Sequence, residues 1–318
     1  MNLQTHQPTR IAIVGVGNVG ATFAHALLLS GMVAEIVLID RDIRKAEGEA
    51  MDLNHSIPLV HPARIWAGDY PDCAGATLTV ITAGSAQKPG ETRLDLLQRN
   101  KSIFQSIVSQ VVKYNPDGLI LVATNPVDIL SYATWKISGL PASRVLGSGT
   151  ILDTARLRYL LSLHFGVDAR SVHAFIIGEH GDSEVPVWSL ANIAGMRLND
   201  YCAANHTHCE MDVLQNIFEQ TRDAAYEIIN RKGATYYAIS AGLMAIVQAI
   251  LRDQNTVLSV SSYIEDYYGI ENVYLSLPSI IDRGGVEKML KLELSAEEIK
   301  GLQHSAKVLK DTLKQLDF

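Results

Sequence analysis

Over the first 147 positions, apolar residues fall into short unbroken runs separated by stretches of helical period. "RIAIVGVG", "EIVLID", "LTVITAG", "GLILVAT" and "RVLGSG" are β-branched runs without polar alternation, the pattern of strands covered on both faces. "NVGATFAHALLLSG" and "AEGEAMDLNHS" read as helices between them. This strand–helix–strand order predicts an α/β chain built on a doubly wound parallel sheet. The pattern changes near residue 148. "ILDTARLRYLLSLHFG" predicts an amphipathic helix, "VHAFIIGEHG" a strand entering a turn, and residues 257–290 strand-like pieces with turns. The segment "SAEEIKGLQHSAKVLKDTLKQL" opens on a capping box, Ser295 with Glu298, and continues at helical period. The expected organisation is a sheet-forming unit over 1–147 and a mixed α+β unit over 148–318.

Composition narrows the partners. The 318 residues are 47% hydrophobic and 19% charged, which suits substantial cores. A net charge of −7 argues against nucleic acid as the main partner. Three cysteines, Cys73, Cys202 and Cys209, make no disulfide framework and point to a reducing compartment. The polar opening "MNLQTHQPTR" lacks a signal-peptide core, and no apolar run is long enough to cross a bilayer. A soluble cytoplasmic protein without membrane contact is expected. "CAANHTHCE" mixes cysteine and histidine, but its spacing fits no zinc motif, so it reads as a polar loop and no metal is expected.

The first chemistry lies in "GVGNVG". Gly15, Gly17 and Gly20 follow a strand and open a helix. The first suits a tight turn, the second close approach to a pyrophosphate, the third helix–strand packing. Such a triplet alone is weak. Asp40 strengthens it by ending the next strand twenty residues on, where a carboxylate accepts from a ribose diol and repels a 2′-phosphate. NAD is therefore the expected cofactor, in preference to NADP.

A second set of charges follows. Arg93 sits in "GETRLDL", Asn125 ends a strand in "ATNPVD", and Asp153 and Arg156 are spaced to share a helix face. His180 lies in "AFIIGEHGDSEVP" among glycines and acids. Together these are parts for hydride transfer to a carbonyl beside a carboxylate. His180 gives and takes the proton, and Asp153 fixes and stabilises the imidazole. Arg156 holds the carboxylate bidentately, and Arg93 polarises the carbonyl. Singly, each has a plainer reading as a helix ion pair, a solvated loop charge or a satisfied turn histidine, and spacing alone does not make them converge.

These residues, with "MDLNH", "AGSAQKPGETRLDLLQRN", "GSGTILDTARLR", "KGATYYAI" and "LPSIIDRGG", give a chain that resembles the bacterial L-lactate dehydrogenases of the lactate/malate dehydrogenase superfamily over its whole length. The resemblance implies a Rossmann NAD-binding domain at 1–147 and a substrate-binding, catalytic domain at 148–318. It implies the roles just given for His180, Asp153, Arg156 and Arg93, and places Asn125 against both substrate and cofactor. Val16, Lys45, Tyr70, Gly84, Ser106 and Ser148 match further positions that line NAD in relatives.

The related malate enzymes carry arginine where this chain has Gln87. A neutral side chain suits the methyl group of pyruvate, whereas an unpaired second carboxylate costs several kcal/mol to bury. Thr235 also matches the lactate enzymes. Pyruvate and L-lactate are thus the expected substrates, with malate dehydrogenase or a catalytically silent dinucleotide-binding protein as the alternatives. The loop from Gly84 to about Leu94 is expected to close over substrate. Arg158 and His173 match positions that bind fructose 1,6-bisphosphate between subunits in responsive relatives, so the resemblance implies an allosteric homotetramer working in glycolytic fermentation.

Overall fold

The computed structural model describes residues 8–85 and 93–316. The chain opens with β1 (Arg10–Val14), α1 (Asn18–Ser30), β2 (Glu35–Ile39), α2 (Ile43–Ser56) and β3 (Arg64–Ala67). It continues through β4 (Leu78–Ile81), α3 (Arg93–Tyr114), β5 (Leu119–Val122), α4 (Val127–Ser138) and β6 (Val145–Gly147). All six strands pair in parallel in the order β3-β2-β1-β4-β5-β6. The order reverses between β1 and β4, and that switch point is where open α/β sheets bind ligands.

The unbroken apolar runs are explained by burial on both faces. Ile11 and Ile13 of β1 cluster with Phe23 and Leu27 of α1. The alternating residues Ala12 and Val14 cluster with Phe104 and Val108 of α3 and Leu130 of α4. All of these are essentially inaccessible to solvent, so truncating one, as in Leu27→Ala, costs about 2–5 kcal/mol.

The second half begins with α5 (Ile151–Phe165), the short strands β7 (Val172–His173), β8 (Ile176–Ile177), β9 (Val185–Pro186), β10 (Asn192–Ile193) and β11 (Met196–Arg197), then α6 (Leu198–Asn205). It ends with α7 (Met211–Lys232), α8 (Tyr237–Leu251), β12 (Thr256–Ile264), β13 (Val273–Asp282), β14 (Gly285–Met289) and α9 (Ala296–Gln315). α9 carries the expected capping box: Ser295 Oγ accepts from the Glu298 N–H, and Glu298 Oε2 accepts from the Ser295 N–H at 2.8 Å.

Three features depart from the sequence reading. First, β12, β13 and β14 do not stay within the second half. β12 pairs antiparallel with β6 through Ser261 and Gly147, so the sheet becomes nine-stranded and mixed. Gly147 makes this approach possible, because a Cβ there would meet the Ser261 Cβ at 2.9 Å. Second, α7 and α8 were not anticipated. The signal was present in α7, where Leu214, Ile217, Phe218 and Thr221 recur on one buried face. α8 is apolar enough to hide its period, and its Leu243 and Val247 join the core against α1. Third, the cysteines are not all free thiols. The end of α6 folds back towards the start of α7, bringing Cys202 and Cys209 to a Cα separation of 6.1 Å in a disulfide, while Cys73 is a buried thiol.

Candidate active site

The glycine loop is shaped by contacts that exclude a side chain at two of its three positions. Gly15 follows β1 with φ +100°, and a Cβ there would lie 2.4 Å from the Ala83 nitrogen. A Cβ on Gly20 would lie 2.0 Å from the Gly15 carbonyl oxygen. Gly17 differs: a Cβ there meets no atom within 4 Å. It is the N-cap of α1, and no side chain caps that helix end or places an acid in its first turn. The helix therefore presents backbone N–H groups and its positive end to a space open to an anion.

Asp40, just beyond β2, closes this loop. Its Oδ2 accepts the Val16 N–H at 2.8 Å and its Oδ1 accepts the Asp42 N–H at 3.0 Å. A cavity of about 970 Å³ opens over the loop, lined by Gly15, Gly17, Asp40, Lys45, Tyr70, Gly84 and Ser106 among others. Seven of the sequence-predicted cofactor residues are thus brought together. Val16 and Gly20 are buried in the loop and the helix beneath it, and Ser148 is buried behind β6. Asn125 is exposed beyond the end of β5.

The second cluster is built on the turn after β8. Three consecutive backbone N–H groups there are held by three different elements. The Gly178 N–H donates to the Ser276 carbonyl of β13 at 2.9 Å, and the Glu179 N–H to Ser305 Oγ of α9 at 2.6 Å. The His180 N–H donates to Asp128 Oδ2 of α4 at 2.8 Å. Glycine is needed at 178, where φ is +93° and a Cβ would press on Ser305. On this mounting His180 Nδ1 lies 2.5 Å from Asp153 Oδ2, in the first turn of α5. Arg156, one turn on, donates to Asp153 Oδ1 at 2.9 Å. Asp153 is 2% exposed, and the His180 side chain is 23% exposed. The imidazole thus faces outward from a buried acid.

Residues 9–147 match the lactate/malate dehydrogenase NAD-binding domain, and residues 150–317 match the α/β C-terminal domain of the same proteins. The chain belongs to the lactate/malate dehydrogenase family. Within that family it is 53% identical over 310 residues to an L-lactate dehydrogenase of Acetivibrio thermocellus, covering 97% of this chain and 98% of the relative. An L-lactate dehydrogenase of Priestia megaterium is 54% identical over 308 residues, 97% of this chain and 96% of the relative. The crystal structure of a lactate dehydrogenase from a Medee basin deep-sea metagenome library superposes with a TM-score of 0.95 at 46% identity, covering 98% and 99% of the two chains.

As in the family, the cofactor is NAD, and the loop geometry suits it. The open space at Gly17, the uncapped start of α1 and a carboxylate at the end of β2 are what a pyrophosphate and a ribose diol require. The Asp40 carboxylate, already oriented by the loop, disfavours a 2′-phosphate beside it.

The electrostatics of this dehydrogenase site follow from its burial. Burial opposes charge on His180, but the Asp153 carboxylate, with Asp128 adding to it, outweighs that and raises the imidazole to about 9. Burial alone would raise Asp153, yet His180 and Arg156 hold it below its ordinary value. Glu184 responds in the opposite direction. Burial first, then the Asp153 charge, push it up to about 9, so at pH 7 it is a neutral acid.

The remaining predicted residues are less concentrated. Arg93 begins α3. Thr235 is partly buried in the connection between α7 and α8. Gln87 and most of the loop expected to close over substrate lie outside the described residues. Arg158 donates from Nε at 3.0 Å to the carbonyl of Ala174, the residue that follows the exposed His173. Among the described residues no group of three or more histidine, cysteine or acidic side chains is arranged to hold a metal. Sequence reasoning missed Asp128 and Glu184. Both stand within quoted motifs, "ATNPVD" and "GEHGDSE", but their burial close to the His180 imidazole shows only in the structure.

Proposed function

We propose that this chain is an L-lactate dehydrogenase that catalyses the reversible NADH-dependent reduction of pyruvate to L-lactate. The observation that carries this reading is the chain of contacts from His180 through Asp153 to Arg156, in a chain that also carries a dinucleotide loop. Bound NADH supplies the hydride that reduces the C2 carbonyl carbon. His180 donates the accompanying proton from Nε2 to the carbonyl oxygen, so that C=O becomes CH–OH and the imidazolium becomes neutral. Asp153 on Nδ1 leaves Nε2 as the donor and stabilises the charged ring before transfer. Arg156, partly engaged by Asp153, pairs its guanidinium with the substrate carboxylate. Arg93 polarises the carbonyl, and Asn125 and Thr235 complete the pocket. In the cofactor cleft, Gly15, Val16, Gly17 and Gly20 form the loop around the pyrophosphate. Asp40, Lys45, Tyr70, Gly84, Ser106, Asn125 and Ser148 hold the rest of the dinucleotide.

In this reading residues 1–147 form the NAD-binding domain and 148–318 the substrate-binding, catalytic domain, with Gln87, Arg93 and Asn125 reaching the substrate from the first. Gln87 selects pyruvate, because it offers no positive charge to the second carboxylate of oxaloacetate. NADH oxidation with pyruvate and with oxaloacetate, for the native chain and Gln87→Arg, tests this. The native chain prefers pyruvate strongly and the variant shifts towards oxaloacetate. An unchanged preference in Gln87→Arg contradicts that role.

Arg158 and His173 are proposed to hold fructose 1,6-bisphosphate and so activate a cytoplasmic homotetramer in glycolytic fermentation. Their support is that Arg158 of α5 bonds to the carbonyl of Ala174, the residue that follows the exposed His173 of β7, and an arginine near a histidine can hold a phosphate. Pyruvate saturation curves that superimpose with and without the bisphosphate contradict the activation.

A further inference from the structure

Asp128 is almost wholly buried, with 2% of its surface exposed, and its two oxygens bind two different parts of the molecule. Oδ2 accepts the backbone N–H of His180 at 2.8 Å, and Oδ1 accepts the hydroxyl of Ser261 at 2.5 Å. The first partner is the residue that carries the reactive imidazole. The second lies on β12, at the one point where that strand pairs with the parallel sheet, opposite Gly147. Gly147 lets β12 come that close, since a Cβ there would meet the Ser261 Cβ at 2.9 Å. A single carboxylate therefore ties the histidine turn to the seam between the parallel and antiparallel parts of the sheet.

Its placement in the chain adds to this. Asp128 is the second residue of α4, three positions after Asn125 and the start of the loop at the end of β5. The other two anchors of the turn, the Ser276 carbonyl and Ser305 Oγ, come from β13 and α9 and hold Gly178 and Glu179. Of these three backbone anchors, the Asp128 bond is the one made by His180 itself, and it links that residue to the helix that follows the cofactor-side loop. A hydrogen bond from a part-buried N–H to a buried carboxylate is costly to leave unmade. The turn relaxes if that bond is lost.

We propose that Asp128 is the positioning residue of the reaction: it fixes His180 relative to Asn125 and the cofactor cleft by holding the His180 backbone, without touching substrate. This rests on the pyruvate reductase reading above. What it needs of Asp128 is two oriented hydrogen-bonding atoms, not a charge. Asparagine supplies both, accepting from the His180 N–H through Oδ1 and donating to Ser261 Oγ through Nδ2. Alanine supplies neither.

Steady-state kinetics of Asp128→Ala, Asp128→Asn and Ser261→Ala, with NADH affinity read by fluorescence, test the proposal. Asp128→Ala lowers kcat by about tenfold or more while NADH affinity and the KM for pyruvate change by less than about threefold. Asp128→Asn recovers most of that turnover, and Ser261→Ala, which leaves the bond to His180 in place, loses about two- to fivefold. A folded Asp128→Ala with native kcat overturns the proposal, and so does Asp128→Asn that is as slow as Asp128→Ala. If Asp128→Ala does not fold, Ser261→Ala at native kcat overturns it. An inactive native chain is the failure of the functional reading instead. In that event an imidazole NMR titration still decides: Asp128→Ala and Asp128→Asn both lack the charge, so a tether predicts that His180 titrates lower in the alanine variant, and identical titrations overturn it.

Discussion

His180 Nδ1 and Asp153 Oδ2 stand 2.5 Å apart, joining a turn that follows β8 to the first turn of α5. The bond engages Nδ1 and leaves Nε2 as the nitrogen for the proposed proton transfer. Asp153→Asn keeps the shape but removes the charge that raises the imidazole. Pyruvate reduction is expected to fall at least about a hundredfold, and His180 is expected to titrate closer to its ordinary value of 6.5. The pH dependence of kcat for the variant checks both.

In the proposed reaction, reduction requires protonated His180, whose imidazole is raised to about 9. The rate of pyruvate reduction is therefore expected to hold through neutral pH and to fall as pH rises through about 9, while lactate oxidation gains over the same range. Stability follows the same sign. A histidine with a raised folded value contributes fully below its unfolded value, and that contribution is lost as pH rises through the folded one. Melting temperature is expected to decline between about pH 6.5 and 9.

Glu184 is a buried acid whose Oε1 has no hydrogen-bond partner among the described residues. It is raised to about 9, first by burial, so from its unfolded value upward the folded chain holds a proton that the unfolded chain has released. Stability falls with pH across that window. Glu184→Gln copies the neutral form. It is expected to match the native melting temperature near pH 4 and exceed it at pH 8, with a shallower decline. A variant that is less stable at pH 8 contradicts the neutral acid.

Gly15 and Gly17 stand two residues apart but are expected to respond differently to alanine. Gly15→Ala forces a Cβ to within 2.4 Å of the Ala83 nitrogen at a positive φ, so it destabilises the fold by several kcal/mol. Gly17 has φ −72° and open space where its Cβ would be. Gly17→Ala is expected to melt within a few degrees of the native chain yet bind NADH at least about tenfold more weakly, because the added methyl occupies the pyrophosphate position. Thermal melts and NADH titrations of both variants check the contrast.

The parts legible in the sequence are those whose cause is local. "GVGNVG" announces a tight turn because each glycine answers a contact within one βα unit, and Asp40 is found by its distance along the next strand. Asp153 and Arg156 are joined by helical spacing, and the structure bonds them at 2.9 Å. What stayed hidden depends on residues far apart in the chain. Asp128 is ordinary in "ATNPVD" until Ser261, 133 positions on, closes over it. β12 reads as a strand, but nothing local says that it joins β6 instead of a separate sheet. The Cys202–Cys209 pair was missed because an odd count obscured two thiols brought together by a helix–helix turn. α8 escaped because a helix packed between α1 and the second half needs little polar face.

The most direct test is turnover of NADH with pyruvate by the native chain and by His180→Asn, with NADH binding measured separately. Proton donation by His180 predicts rapid oxidation by the native chain and at least about a hundredfold loss in the variant, with cofactor affinity nearly unchanged. A His180→Asn enzyme that reduces pyruvate within a few-fold of the native rate contradicts it.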